Sequence, residues 1–205
     1  AIKFQMHVLE NEMLRDVPTS DNFDEPLYET LNNTELTLDE HKQLKALCEN
    51  LGIDYLCTPF SAAAADILDK ELDLKAFKTG SGELTNIPLL KHIASKGRPM
   101  IISTGMALIE EIQETVDAIK ETGTPFALTH CVSAYPTPYN RVNLHNIPRY
   151  RELFNVPVGL SDHSIGIYTA IGSVALGASI IEKHFTLDKL QSGPDHHVSL
   201  EPYDL

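Results

Sequence analysis

The stretch Pro157–Phe185, "PVGLSDHSIGIYTAIGSVALGASIIEKHF", decides the fold. Two short apolar runs, "PVGLSD" and "SIIEKHF", flank a segment of small and apolar residues with helical spacing, "YTAIGSVALGA". A strand, a helix and a second strand in that order imply parallel pairing through a right-handed crossover. Both strands end polar. Ile180 and Ile181, expected in the packed lower part of the sheet, run straight into Glu182, Lys183 and His184, which interiors rarely accept unpaired.

The same unit repeats upstream. Strand "AIKFQ" opens the chain, and "TLDEHKQLKALCENLG" reads as a helix with a Thr37 cap, Glu40 three residues on, apolar Leu44, Leu47 and Leu51, and a Gly52 stop. Then follow strand "DYLCTPF", helix "AAAADILDKEL", strand "AFKTG", helix "IPLLKHIASKG", strand "PMIISTG", helix "LIEEIQETVDAIKETG", strand "PFALTHC" and helix "IPRYRELF". Between "AIKFQ" and the first regular helix, Pro18, Pro26 and Thr19 to Asn22 predict a long polar loop carrying at most short helices.

Seven strands separated by helices suit either an open doubly wound sheet or a closed (β/α)8 barrel. No Gly-rich phosphate fingerprint follows the first strand, and polar residues end every strand, so the sequence favours the α/β TIM barrel. A complete barrel needs an eighth strand and about 250 residues. "AIKFQ" reads as a strand already under way, which predicts a first βα unit upstream of Ala1 and makes residues 1–205 one barrel domain carrying strands two to eight.

Composition narrows the function classes. Among 205 residues, Asp and Glu outnumber Lys and Arg by 29 to 16, a formal charge of −13, which argues against nucleic acid or an anionic membrane as partner. No apolar run approaches the roughly 20 residues of a membrane span. Cys48, Cys57 and Cys131 form no CxxC pair and read as buried free thiols in a reducing, cytoplasmic setting.

Residues two apart on a strand share a face. That rule makes inward pairs of Lys3 with Gln5, Ser161 with His163, and Glu182 with His184, with Ser133 and Tyr135 just beyond the sixth strand. Lys78, Ser81, Glu83 and Ser103 lie at the same level, on the rim where barrels place their chemistry. His163 and His184, ending neighbouring strands, read either as satisfied rim residues or as two imidazoles sharing a divalent ion, with Glu182 and Ser161 supporting them. Lys3 and Lys78 either snorkel to solvent or, with Thr58, Ser81, Ser103 and the amides of Gly80, Gly82 and Gly105, form a phosphate or carboxylate cradle. Asp195, in the turn-rich "GPDHHVSLEP", suits a solvated loop and a sugar contact equally.

"KFQ", "CTPF", "KTGSGE", "IISTGM", "HCVSAYPTP", "GLSDHSIG", "EKHFTLDK" and "GPDHHVSLEP" stand in the order found in the sialic acid synthase family, and the chain resembles that family from Lys3 to Pro202. The resemblance implies a barrel that condenses phosphoenolpyruvate with an open-chain N-acetylated amino sugar, N-acetylmannosamine or a diacetamido-dideoxy analogue, to a nine-carbon 2-keto acid and phosphate. It implies manganese or magnesium on His163 and His184. It assigns phosphoenolpyruvate to Lys3, Thr58, Lys78, Ser81, Ser103 and Ser161, and the sugar to Gln5, Tyr135 and Asp195. It makes Glu83 the residue that handles protons or water, with Lys78 and His184 as its catalytic companions. Ser133 stands where some members carry an Asn that touches phosphoenolpyruvate. The family's first strand, with its Asn-His-Asn segment, and its C-terminal antifreeze-like domain, which reaches across a homodimer, are not among these residues. Two further readings stay open: a truncated, non-catalytic barrel that keeps ligand or assembly surfaces, and a metal-dependent barrel hydrolase.

Overall fold

Alternation along each strand sorts the chain into two layers. In β3 (Phe77–Thr79), Phe77 is fully buried among apolar side chains while Lys78 points to the opposite face. In β4 (Met100–Ser103), Met100 and Ile102 join the same core. β1 (Ile2–Met6), β2 (Tyr55–Pro59), β5 (Phe126–Cys131), β6 (Val158–Asp162) and β7 (Ile181–Lys183) complete the set. This computed structural model describes residues 1–16, 18–19 and 25–205.

The seven strands pair in parallel, in chain order from β1 to β7. Helices α2 (Leu38–Leu51), α3 (Ala62–Leu72), α4 (Ile87–Ala94), α5 (Ile109–Lys120), α6 (Asn146–Phe154) and α7 (Tyr168–Ala175) fill the connections. Each seals the sheet through a stripe at helical spacing, such as Ala64, Ala65, Leu68 and Leu72 in α3 or Ile112, Val116 and Ile119 in α5. Six inter-strand steps in a flat sheet would separate β1 from β7 by about 29 Å. Instead Lys3 of β1 and Glu182 of β7 meet at 3.4 Å, so the sheet is curled. Among the described strands β1 pairs only with β2 and β7 only with β6, which leaves an open curl of seven strands where the sequence predicts part of an eight-stranded barrel.

The cap expected before α2 is present: Thr37 Oγ1 accepts from Glu40 N at 3.3 Å, Thr37 N donates to Glu40 Oε2 at 2.7 Å, and Gly52 ends the helix at φ 69°. Its inner face differs from the expected leucine stripe. His41 and Cys48 are buried and Leu44 is half-buried, whereas Leu47 and Leu51 are exposed. Ile181 of β7 also differs. It is 44% exposed, with no strand among the described residues on the outer edge of β7, and Tyr168, Ile171 and Val174 of α7 are exposed as well. The long loop expected through Thr19 to Asn22 falls largely outside the described residues; α1 (Leu27–Thr34) and a 3-10 turn at Leu9–Asn11 flank it. Cys48, Cys57 and Cys131 are buried free thiols, as expected, and burial pushes the Cys57 thiol up to about 12. No helix among the described residues is long and apolar enough to cross a membrane.

Two buried imidazoles tie stability to pH. His41 Nδ1 lies 2.6 Å from the Tyr55 hydroxyl while Nε2 has no partner, and His130 Nε2 donates to Val142 O at 2.7 Å while Nδ1 has none. Burial pushes both below their ordinary value, against Glu40 for His41 and against the Val142 bond for His130. Each is neutral in the fold and free to take a proton on unfolding. Their contribution is therefore complete above the ordinary value of about 6.5 and is lost as pH falls below it towards the folded values. Urea midpoints measured from pH 7.5 to pH 5.5 are expected to fall, with a shallower slope in His41→Leu; an equal slope in both proteins would contradict the buried neutral imidazole.

Candidate active site

The inward face of the curl carries a lower and an upper level of polar groups at the carboxyl ends of the strands. In the lower level, Lys78 is 4% exposed, and its ammonium donates to Ser103 Oγ at 2.6 Å and Thr79 O at 3.0 Å. Ser103 Oγ in turn lies 2.8 Å from Thr129 Oγ1, its register partner on β5. Glu182 reaches across the interior with Oε2 3.2 Å from Lys78 Nζ and Oε1 3.4 Å from Lys3 Nζ. Burial pushes the Lys78 ammonium down, Glu182 works against that, and the Lys3 charge adds to it. Burial also works against the Glu182 carboxylate, yet the two lysines prevail and hold it below the ordinary carboxylate value. Glu182 is thus held by the two lysines, and its charge also pulls against the burial of His184.

Thr58 stands on β2 opposite Gln5, 2% exposed, with no hydrogen-bond partner for its hydroxyl among the described residues. An orphaned buried hydroxyl is costly unless something takes it up. Ser161 is buried too, beside Glu182 in register.

Two residues further along the strands, about 6.6 Å, lies the upper level. Gly105 sits where a Cβ would come within 2.3 Å of Ser133 Oγ, 2.7 Å of Ser81 Oγ and 3.0 Å of Cys131 Sγ. Its amide, expected among the anion donors, instead holds Ser81 Oγ at 3.0 Å. Past Cys131, His163 Nδ1 is 3.1 Å from Val132 O and 3.8 Å from Cys131 Sγ. Donation to the carbonyl fixes the proton on Nδ1 and leaves Nε2 with a free lone pair. The His163 and His184 rings are 5.4 Å apart, and Tyr135 covers both, at 4.0 Å and 5.8 Å between centroids. Burial pushes the His184 imidazole down against the pull of Asp195, whose Oδ2 is 3.4 Å from His184 Nδ1.

The turn-rich segment is folded back onto the site by Leu200 N, which bonds to His184 O at 2.8 Å, and Asp195 precedes the 3-10 turn His196–Val198. That placement joins Asp195 to His184. Lys183 points to the helical layer, as alternation requires, and forms a buried pair with Asp162 at 2.9 Å.

Two expected residues bond outside the lysine–carboxylate set. Glu83, on the 3-10 turn Ser81–Glu83, accepts from Asn86 Nδ2 at 2.8 Å and makes no ion pair with the lysines. Gln5 is exposed and bonds through Oε1 to His7 Nε2 at 3.3 Å, while His7 Nδ1 is 2.6 Å from Glu12 and its ring stacks on Phe60 at 4.4 Å. Sequence reading missed His7, although it shares Gln5's face two residues on. It also missed Thr137, whose N–H bonds to His163 O at 2.9 Å and carries Tyr135 over the imidazoles. No cluster of three or more His, Cys, Asp or Glu side chains able to hold a metal occurs among the described residues, so a metal here would rest on two imidazoles and outside ligands.

Comparison with known proteins places this geometry. The chain is 45% identical over 185 residues to N,N'-diacetyllegionaminic acid synthase of Campylobacter jejuni, which covers 89% of this chain and 55% of that protein. It is 39% identical over 172 residues to human N-acetylneuraminate-9-phosphate synthase, covering 83% of this chain and 48% of that one. The crystal structure of N-acetylneuraminic acid synthetase from Leptospira borgpetersenii, in complex with citrate, superposes with a TM-score of 0.88 at 34% identity, over 100% of this chain and 68% of that chain. The chain therefore spans about half the length of these two curated relatives. The NeuB family profile matches residues 1–205, and the chain belongs to the NeuB family.

Proposed function

We propose that this chain carries the core of a nonulosonic acid synthase, condensing phosphoenolpyruvate with an open-chain N-acetylated amino sugar. The observation that carries the reading is the convergence of Lys3 and Lys78 with Ser103 in the mouth of the curl, one level below two paired imidazoles. Inside a protein of formal charge −13, two inward ammonium groups are suited to a small, highly charged anion.

In this reading Lys3, Lys78 and Ser103, with the free hydroxyl of Thr58 and with Ser81, Ser133 and Ser161, hold the phosphate and carboxylate. Gln5, Tyr135 and Asp195 hold the sugar beside the imidazoles. Carbon 3 of phosphoenolpyruvate attacks the sugar aldehyde, the aldehyde oxygen becomes a hydroxyl, water adds to carbon 2, and phosphate leaves by C–O cleavage. The ammonium groups neutralise charge that would repel the incoming groups. Glu83 accepts the proton that the added water gives up; Asn86 orients its carboxylate. His163 and His184 suit a manganese or magnesium ion, because the Val132 carbonyl fixes the tautomer that leaves Nε2 of His163 free. Such an ion would act as a Lewis acid on the aldehyde oxygen.

A second reading, binding or assembly without turnover, is favoured by the unpaired edges of β1 and β7 and by exposed Ile171, Val174 and Ile181. A homodimer of the whole protein would cover part of such a surface.

Phosphate release from phosphoenolpyruvate, assayed with N-acetylmannosamine and with a diacetamido-dideoxy analogue in the presence of manganese or magnesium, separates these readings. Release that needs both substrates, and falls about a hundredfold in folded His184→Ala, is expected. Phosphoenolpyruvate binding without release for any sugar would favour the second reading, and no binding at all would sink the first. Gly105→Ala should weaken phosphoenolpyruvate binding about tenfold by calorimetry, one lost set of charged hydrogen bonds, because its methyl group would clash with the hydroxyls of Ser81 and Ser133 and displace them. Unchanged affinity would move the anion away from those hydroxyls.

A further inference from the structure

The Lys78 ammonium donates to Ser103 Oγ at 2.6 Å and to Thr79 O at 3.0 Å, and it pairs with Glu182 Oε2 at 3.2 Å. Lys3 faces the same carboxylate through Oε1 at 3.4 Å. The two ammonium groups come from strands that do not pair with each other, β1 and β3, and the carboxylate comes from β7 on the far side of the opening. Like charges brought together in a buried mouth repel, and long Lys side chains otherwise turn towards water.

We propose that Glu182 is the positioning residue of the anion site: one carboxylate, an oxygen to each lysine, holds Lys3 and Lys78 converged for the incoming phosphorylated acid. This inference rests on the synthase reading above. Glu182 leaves the pocket with one net positive charge in place of two and works against the burial that pushes the Lys78 ammonium down. The arriving anion then meets donors already aimed inwards. Its oxygens share Lys78 through the longest and most replaceable of the three contacts, the one to Glu182, while the bonds to Ser103 and Thr79 keep the ammonium in place.

Calorimetric titration with inorganic phosphate and with phosphoenolpyruvate tests the assignment without needing turnover. Glu182→Gln keeps the side-chain size but can accept from only one lysine, and sets an amide N–H₂ against the other. Its affinity for both anions is expected to fall about tenfold, the worth of a charged hydrogen bond, in a variant whose fold is checked by circular dichroism. Where turnover is measured, KM for phosphoenolpyruvate should rise by the same factor while KM for the sugar and kcat move little; a merely structural role would not give that split. Glu182→Asp, which keeps the charge, should recover part of the loss, and it serves in place of the Gln variant if that one does not fold. Lys3→Met should shrink the effect of Glu182→Gln, because half of what Glu182 positions is gone. Equal or tighter anion binding by folded Glu182→Gln would overturn the inference and leave the synthase reading standing. Failure of the parent protein to bind either anion would overturn both.

Discussion

One carboxylate between two ammonium groups organises this molecule. Glu182, on the last strand, meets Lys3 on the first and Lys78 on the third, across the interior of a sheet whose end strands share no hydrogen bonds. That contact marks the sheet as curled. It also sets the charge of the mouth. Transferring an ammonium such as that of Lys78 from water to a site 4% exposed costs several kcal/mol unless partners surround it. The Ser103 hydroxyl, the Thr79 carbonyl and Glu182 are those partners, and Ser103 passes the interaction on to Thr129 of the next strand.

The upper level depends on the lower one through strand geometry. Ser103 and Gly105, Ser161 and His163, and Glu182 and His184 are each two residues apart, so whatever fixes the first of a pair aims the second at the same opening. Loops finish the arrangement. Thr137 ties the segment after β5 to the end of β6 and brings Tyr135 over both imidazoles, and the Leu200–His184 bond returns the turn-rich segment so that Asp195 stands beside His184. The open edges of β1 and β7, with exposed Ile171, Val174 and Ile181, lie on the same side of the curl as the strands that supply Lys3 and Glu182.

Most of the fold was legible in the sequence, because parallel strands and their helices are local patterns. Six of the seven strands fall within the runs expected of them, β1 runs one residue past "AIKFQ" to Met6, and the Thr37 and Gly52 signals bound α2. Alternation alone put Lys3, Ser161, His163, Glu182 and His184 on the inner face, and it correctly sent Lys183 to the helical layer, where Asp162 receives it. What escaped was whatever depends on a neighbour far away in the chain. Leu47 and Leu51 look like core residues by spacing, yet His41 and Cys48 occupy the face that packs on the sheet. Ile181 is apolar enough for an interior, but no strand among the described residues covers its side. Glu182, two residues from His184, resembled a support for a metal ligand; its two lysine partners lie more than a hundred residues upstream, beyond any local pattern. Family resemblance supplied roles for Glu83 and Gln5 that their contacts, to Asn86 and His7, leave for experiment.

The central claim is that the Lys3–Glu182–Lys78 arrangement is where an anionic substrate lands. A crystal structure of this chain with phosphoenolpyruvate bound tests it most directly. The account predicts phosphate or carboxylate oxygens within about 3 Å of both Nζ atoms, with Glu182 still between them and the Thr58 hydroxyl engaged. Phosphoenolpyruvate lodged elsewhere, for instance in the outer cleft lined by His130, Arg141 and Asn143, with the lysine pair untouched, would contradict it.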